Sequence, residues 1–263
     1  MQHETTLRLG IFLGLFTLFA ALERAAPRRA RRHGRGRLAT NAAIMVLGAV
    51  LLRLLALVLP LLAVGAALDA GRMGWGLFNV LDWPVWVEGL LAILMLDLAI
   101  WTQHLVTHKV PLFWRFHRVH HADGDFDVTT AIRFHPFEIA ASMLLKIALV
   151  YMIGPSGVAV VIFEVLLNGT ALFNHANIAL PAWADRLIRM VLVTPDMHRV
   201  HHSVDRFEHN SNFGFALSVW DRVFGTYLAQ PAAGHDAMTI GLEWQDERPA
   251  RLGWSLLLPF RRS

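Results

Sequence analysis

The 263-residue chain contains no cysteine. Disulfides, thiolate-ligated haem, cysteinyl iron–sulfur clusters and thiol nucleophiles are therefore excluded, and any bound metal must be held by histidine, carboxylate or carbonyl groups. There is no G-x-G-x-x-G turn after a strand and no P-loop, so the chain lacks its own dinucleotide or nucleotide site. The H-E-x-x-H motif is missing and no serine lies in a nucleophile context, which argues against a membrane zinc hydrolase. Lysine is also scarce, and the basic residues are nearly all arginine.

Hydrophobicity is what the chain has in excess. Residues of that class make up 55% of the sequence, which places it among membrane proteins. The apolar runs are Leu7–Leu22, Asn41–Leu68 (interrupted by Arg53 and Pro60), Val85–Gln103 behind Pro84, Pro136–Ile153 and Val158–Phe173. The turn Gly154-Pro155-Ser156-Gly157 makes the last two an antiparallel hairpin. In Leu7–Leu22 the positive charges follow the apolar stretch, the reverse of a signal peptide, so a retained helix is expected. Arg53 is expected to snorkel to the cytoplasmic interface.

Seven arginines crowd between Arg24 and Arg37. A nucleic-acid patch and a cytoplasmic loop are the two readings, and the apolar runs on both sides favour the loop; no nucleic-acid partner is expected. With that loop inside and the N-terminus outside, parity puts His104–His135 and everything from His175 onward on the cytoplasmic face. That gathers every histidine except His3 and His33. The expected fold is all-α: a multi-pass membrane helical bundle of four or five spans with a cytoplasmic helical cap carrying a histidine-rich dimetal site. Three parts are expected: 1–83, N-terminal helices and arginine loop; 84–230, the catalytic domain; and 231–263, a C-terminal tail.

The fourteen histidines fall into groups. His104 and His108 are four apart, so on a helix they share a face and can clamp one ion. His117, His120 and His121 spell H-R-V-H-H, and His198, His201 and His202 spell it again. In each copy the last two are adjacent and point about 100° apart. Adjacent imidazoles do not easily reach one ion, but they can serve two ions lying side by side. With His175 the set reaches nine ligands, too many for a mononuclear site of roughly three or four. Neutral imidazole suits iron, zinc, copper and nickel alike. Transporters place their ligands at the midplane of broken helices, whereas these lie at helix ends and in the cap.

Other polar residues have competing readings. His135 either caps the helix that starts at Pro136 or joins the ligands. Asp97 and Trp101 share a helical stripe with His104 and His108; Asp97 either orients an imidazole or pairs with an arginine. Glu164 is an intramembrane acid and so a functional suspect, without an assignable partner. His209 is expected to be a polar surface residue, and His3, His33 and His235 to be bystanders.

The ordered motifs are D-x-x-x-W-x-x-H-x-x-x-H (97–108), H-R-V-H-H (117–121), R-F-H-P-F-E (133–138), N-H-A-N (174–177), H-R-V-H-H (198–202) and N-F-G…W-D-R-V-F-G-T-Y (212–227). Over about half the chain this set resembles the fatty acid hydroxylase and sterol desaturase superfamily of membrane di-iron proteins. The resemblance implies two iron ions, replaceable by zinc or another divalent metal on purification, held by His104, His108, His117, His120, His121, His175, His198, His201 and His202. Some relatives carry a further ligand where this chain has Ala171; His135, a water or Asn174 is then the tenth. Asp97, Trp101 and Asn174 are the candidate active-site residues that are not histidine.

The resemblance further implies a multi-pass integral membrane enzyme, in a bacterium of the inner membrane, that activates O2 on the cytoplasmic face and attacks an unactivated C–H bond of a lipid. Members hydroxylate, desaturate or cleave ethers, and hydroxylation is favoured here. The H-P-G-G of a fused cytochrome b5 is absent. Electrons are expected from a separate protein (cytochrome b5, a ferredoxin or a reductase) docking near Arg186, Arg189 or Arg206.

Overall fold

The computed structural model describes residues 4–58, 62–81 and 83–261. His3 and Pro60 lie outside these. Among the described residues every regular element is helical, and five helices are long and apolar enough to cross a membrane. They are α1 (Glu4–Ala25), α2 (Arg35–Val58), α5 (Val85–Lys109), α7 (Pro136–Ile153) and α8 (Gly157–Asn174). Between α2 and α5 lie the short α3 (Ala63–Met73) and α4 (Leu77–Val80). The run at 41–68 is thus not one tilted helix; it divides into α2 and α3, and α3 packs against α7 and α8.

The helices pair α1 with α8, α2 with α7, and α5 with α8. Chain direction then alternates, so the ends of α1, α5 and α8 and the starts of α2 and α7 gather at one end of the bundle. Arg53 lies sixteen residues beyond Arg37 on α2, about 24 Å away. It therefore belongs to the opposite end from the arginine run, contrary to the expectation that the two share an interface. At that opposite end the α7–α8 turn is tight. Gly154 has a φ of 70°, and a side chain at Gly76 would run into its backbone. Ser156 caps α8, its hydroxyl accepting from the Ala159 amide at 3.2 Å.

Val110-Pro111 ends α5, because the residue before proline is pushed out of the helical region; Pro111 then opens α6 (Pro111–His121). This break folds the second histidine group back on the first. The remaining cap helices are α9 (Ala182–Ile188), α10 (Pro195–His201), α11 (Arg206–His209), α12 (Val219–Val223), α13 (Gly234–Ala237) and α14 (Leu252–Leu257).

The arginine run is more than a loop beside a membrane helix. Arg37 is buried and ion-pairs with both Asp123 and Asp127, while Arg31 bridges Glu23 and Asp127. Asp125 accepts from the backbone amides of Arg32 and His33, both at 2.9 Å. Arg28 pairs with Asp196 and Asp236. Residues 231–261 are drawn in as well. Arg133 bonds Asn41, the Val119 and Pro249 carbonyls and Ser255, and Trp254 and Leu258 bury themselves against Ile44 and Val119. The two ends of the chain thereby lock the acidic stretch Asp123–Asp127 directly behind the second histidine group.

Candidate metal centre

The imidazoles converge at this end of the bundle in two groups. His104, His108, His117, His121 and His201 form one; His120, His175, His198 and His202 form the other. Within each group one ring nitrogen per residue lies within 4.8 Å of all the others. Adjacent residues go to different groups, His120 apart from His121 and His201 apart from His202, as the angle between helical neighbours requires. The groups interlock, with the His121 and His202 rings stacked at 4.5 Å.

Contacts outside the cluster set the tautomers. Nδ1 of His104 lies 2.7 Å from the Phe213 carbonyl, Nδ1 of His201 2.7 Å from the Ser211 carbonyl, and Nδ1 of His175 2.8 Å from the Ala171 carbonyl. A carbonyl only accepts, so each Nδ1 carries the proton and each Nε2 turns a lone pair into the cluster. His117 is held the same way by Glu138, whose Oε1 accepts from Nδ1 at 2.6 Å. The Nε2 atoms of His104 and His117 are 3.1 Å apart, and those of His120 and His175 3.2 Å. Two facing lone pairs repel, yet that separation suits two ligands on one ion with metal–nitrogen bonds of about 2.0–2.1 Å. Both ring nitrogens of His108, His121, His198 and His202 are buried without a hydrogen-bond partner, as are Nδ1 of His120 and Nε2 of His201. So many unsatisfied buried nitrogens are costly, and metal ions would satisfy one nitrogen of each ring. The residues fit a pair of metals.

Electrostatics agree. Burial first, and then the neighbouring imidazoles, hold His120, His121, His198 and His202 well below the usual histidine range. Burial takes His175 down to about 4. All are neutral at physiological pH, the form that ligates metal. Behind them, burial opposes the charge of Asp123, but Arg37 outweighs it and keeps the carboxyl below its ordinary range.

Several expected residues sit elsewhere. His135 does not join either group; its Nδ1 accepts from the Phe137 amide at 3.2 Å, capping α7, and its Nε2 faces the Leu256 carbonyl. Asp97 touches neither an imidazole nor an arginine. Its Oδ2 accepts from Trp220 Nε1 at 2.8 Å and from the Leu217 amide. Trp101 donates to Asp221 at 3.0 Å and stacks on Phe224. Both residues fasten the cap to α5. Asn174 Nδ2 donates to the Phe215 carbonyl and its Oδ1 is buried without a partner. His209 is buried rather than on the surface, stacked on Trp114 with Nδ1 towards the Ser203 carbonyl. His33 lies by Glu247 and His235 by Asp196, both outside the groups. Arg189 is also buried, paired with Asp185, which removes it from any docking surface.

Two residues inside the sequence motifs, Glu138 and Asp221, position histidines without being marked for it in the sequence. Glu138 orients His117. Asp221 accepts from the Phe213 and Gly214 amides, both at 2.8 Å, and so fixes the carbonyl that holds His104. Aromatic rings close the centre: Phe134 stacks on His120 at 4.2 Å, Phe126 packs on His175 and His202, and Phe213 on His104 and His201. Beside His104, His117 and Glu138, a cavity of about 430 Å³ runs away from the centre between the long helices.

A bundle of apolar helices carrying two interlocked imidazole groups at one end defines a class, helical bundles with a histidine-rich candidate metal centre. The chain belongs to the fatty acid hydroxylase family, whose model matches residues 89–226. It is 31% identical over 161 residues to the alkylglycerol monooxygenase of Homo sapiens, covering 59% of this chain and 33% of that protein. With the ornithine lipid hydroxylase OlsE of Rhizobium tropici it shares 26% over 150 residues, 57% of this chain and 44% of that one. With the cholesterol 25-hydroxylase of Rattus norvegicus it shares 26% over 144 residues, 54% and 47% respectively. The matched stretch spans between a third and a half of the length of these relatives. No solved structure matches the chain.

Proposed function

We propose that this chain is an iron- and O2-dependent oxygenase that hydroxylates a C–H bond of a membrane lipid, with electrons from a separate protein. The carrying observation is the cavity. It reaches His104 and His117 at one end and is lined for most of its length by apolar side chains from α1, α2, α5, α7 and α8, among them Phe12, Ile44, Ile100, Met143 and Leu167. A lipid chain can thus enter from the bilayer and lie against the centre. The names of the relatives point the same way, since each is a hydroxylase or monooxygenase of a lipid.

Five imidazoles would hold one iron and four the other, and bound iron would supply reductive O2 activation. The chain's own residues do the rest. Glu138 and the Phe213 carbonyl keep the His117 and His104 rings turned inward, Ile100 and Phe134 line the chain's path, and Phe126, Phe213 and Trp114 keep bulk water from the oxidant. A monooxygenase reaction on an ether lipid, the class that the name alkylglycerol monooxygenase gives for that relative, is a variant on the same site. Comparing lipids of cells with and without the gene should reveal a species 16 Da heavier that depends on it; identical lipid profiles would count against the reading.

The centre is assigned to the cytoplasmic face. It shares its end of the bundle with the arginine run, of which Arg24, Arg32 and Arg35 stay exposed, and basic residues next to spans favour the inside. The exposed Arg186 and Arg206 of the cap are then available to an acidic electron-transfer partner. Reporter fusions after Val110 and at the C-terminus should both read cytoplasm. A periplasmic signal from either contradicts the assignment.

A further inference from the structure

The cavity has a second polar end. Away from the metal centre its wall carries Arg8, Lys146, Glu164 and Asn168. Glu164 Oε1 accepts from Lys146 Nζ at 2.9 Å and Oε2 from Arg8, so both carboxylate oxygens are already engaged. Asn168 Nδ2 gives one N–H to the Glu164 carbonyl. Donors remain. Lys146 is only 9% exposed, and among the described residues its ammonium, which has three N–H groups, meets the one acceptor Glu164. Arg8 reaches Glu4 on its other side, a residue that does not line the cavity.

Charges at this depth are costly in a membrane and are kept where they act on something. A cavity built for a plain hydrocarbon would be better served by leucine at all three positions. A purely structural tie between α1, α7 and α8 has no need to face an open cavity with donors to spare.

We infer that this far end binds an oxygen-bearing, hydrogen-bond-accepting group of the substrate. The lipid then lies with its polar group at Lys146 and Arg8 and its hydrocarbon running towards His104 and His117. The inference rests on the reading of the centre as a lipid oxygenase. The reverse orientation would press a methyl terminus against the buried Lys146 ammonium and the half-buried Arg8 guanidinium and leave their donors unmet. The reach follows from the helices. Glu138 and Lys146 are eight residues apart on α7, about 12 Å, and Glu164 and His175 eleven apart along α8, about 17 Å. Oxidation therefore falls about 12–17 Å along the lipid from its polar group, and not beside it.

The test is binding by the full chain in lipid nanodiscs, without iron or O2, of tritiated palmitate, 1-O-hexadecylglycerol and hexadecane. At least one of the two oxygenated ligands should bind about tenfold more tightly than hexadecane, the worth of one charge-assisted hydrogen bond. Preference for palmitate identifies a carboxylate, preference for the glyceryl ether a neutral oxygen group. Lys146→Met should erase the preference while hexadecane binding stays, and Lys146→Arg should keep it. Wild-type protein that binds hexadecane as tightly as both others overturns the inference, with no variant required; so does a preference that survives Lys146→Met. Because the assay needs no turnover, it stands apart from the oxygenase reading. Loss of the preference alongside intact lipid oxidation would sink this inference alone, and a clear preference without any oxidation would sink the other.

Discussion

Replacing His120 with alanine is expected to abolish turnover and to reduce bound metal from two ions per chain to about one. His120 is one of only four imidazoles in its group, and its Nε2 lies 3.2 Å from that of His175. Without it three donors remain for an ion of higher coordination number, and the His175 lone pair loses its neighbour. Disturbing residues that merely orient ligands costs about 10–100-fold in affinity or activity, so deleting a ligand should cost more than about 100-fold in both. The other group keeps its five imidazoles and its ion. His201→Ala should likewise end turnover while sparing the four-imidazole group. Metal analysis of the purified variants beside product assays checks this. A His120→Ala protein that keeps two ions and normal turnover would refute the division of ligands.

The second large effect is on folding. Arg37→Leu removes the cation that buried Asp123 and Asp127 share, leaving two carboxylates with Asn41, Arg31, the Thr129 amide and threonine hydroxyls for company. Breaking a buried pair from one side costs about 3–5 kcal/mol, a large part of the 5–15 kcal/mol typical of folded chains. Little protein should survive detergent extraction as a monodisperse peak, and its melting point should fall sharply. Adding Asp123→Asn should recover part of the loss by removing one stranded charge. A single Arg37→Leu variant that melts with wild type would show that the arginine run acts as a topological signal alone.

The spans and the histidine groups were legible in the sequence because each rests on local geometry. A run of apolar residues needs only length, and H-x-x-H-H declares its two directions through the helical repeat. What stayed hidden depends on pairing across the fold. Asp97 meets no arginine among the described residues; its partner is Trp220 on a distant cap helix. Glu164 finds Lys146 across the hairpin and Arg8 on another helix. The arginine run meets the alternating Asp123, Asp125 and Asp127 some ninety residues later, and only the folded chain shows that these opposite charges annul each other rather than face solvent. Local capping decides His135, and Trp114 covers His209; neither cover nor cap is marked in the histidines themselves.

The central claim is that molecular oxygen is split at this centre and delivered to a lipid. The most direct measurement is isotopic: the purified chain, loaded with iron and given a reductase and a lipid substrate, is turned over under ¹⁸O₂ and its product weighed. One ¹⁸O atom in the new hydroxyl group is the expected result. A hydroxyl group that carries oxygen from water instead would contradict it.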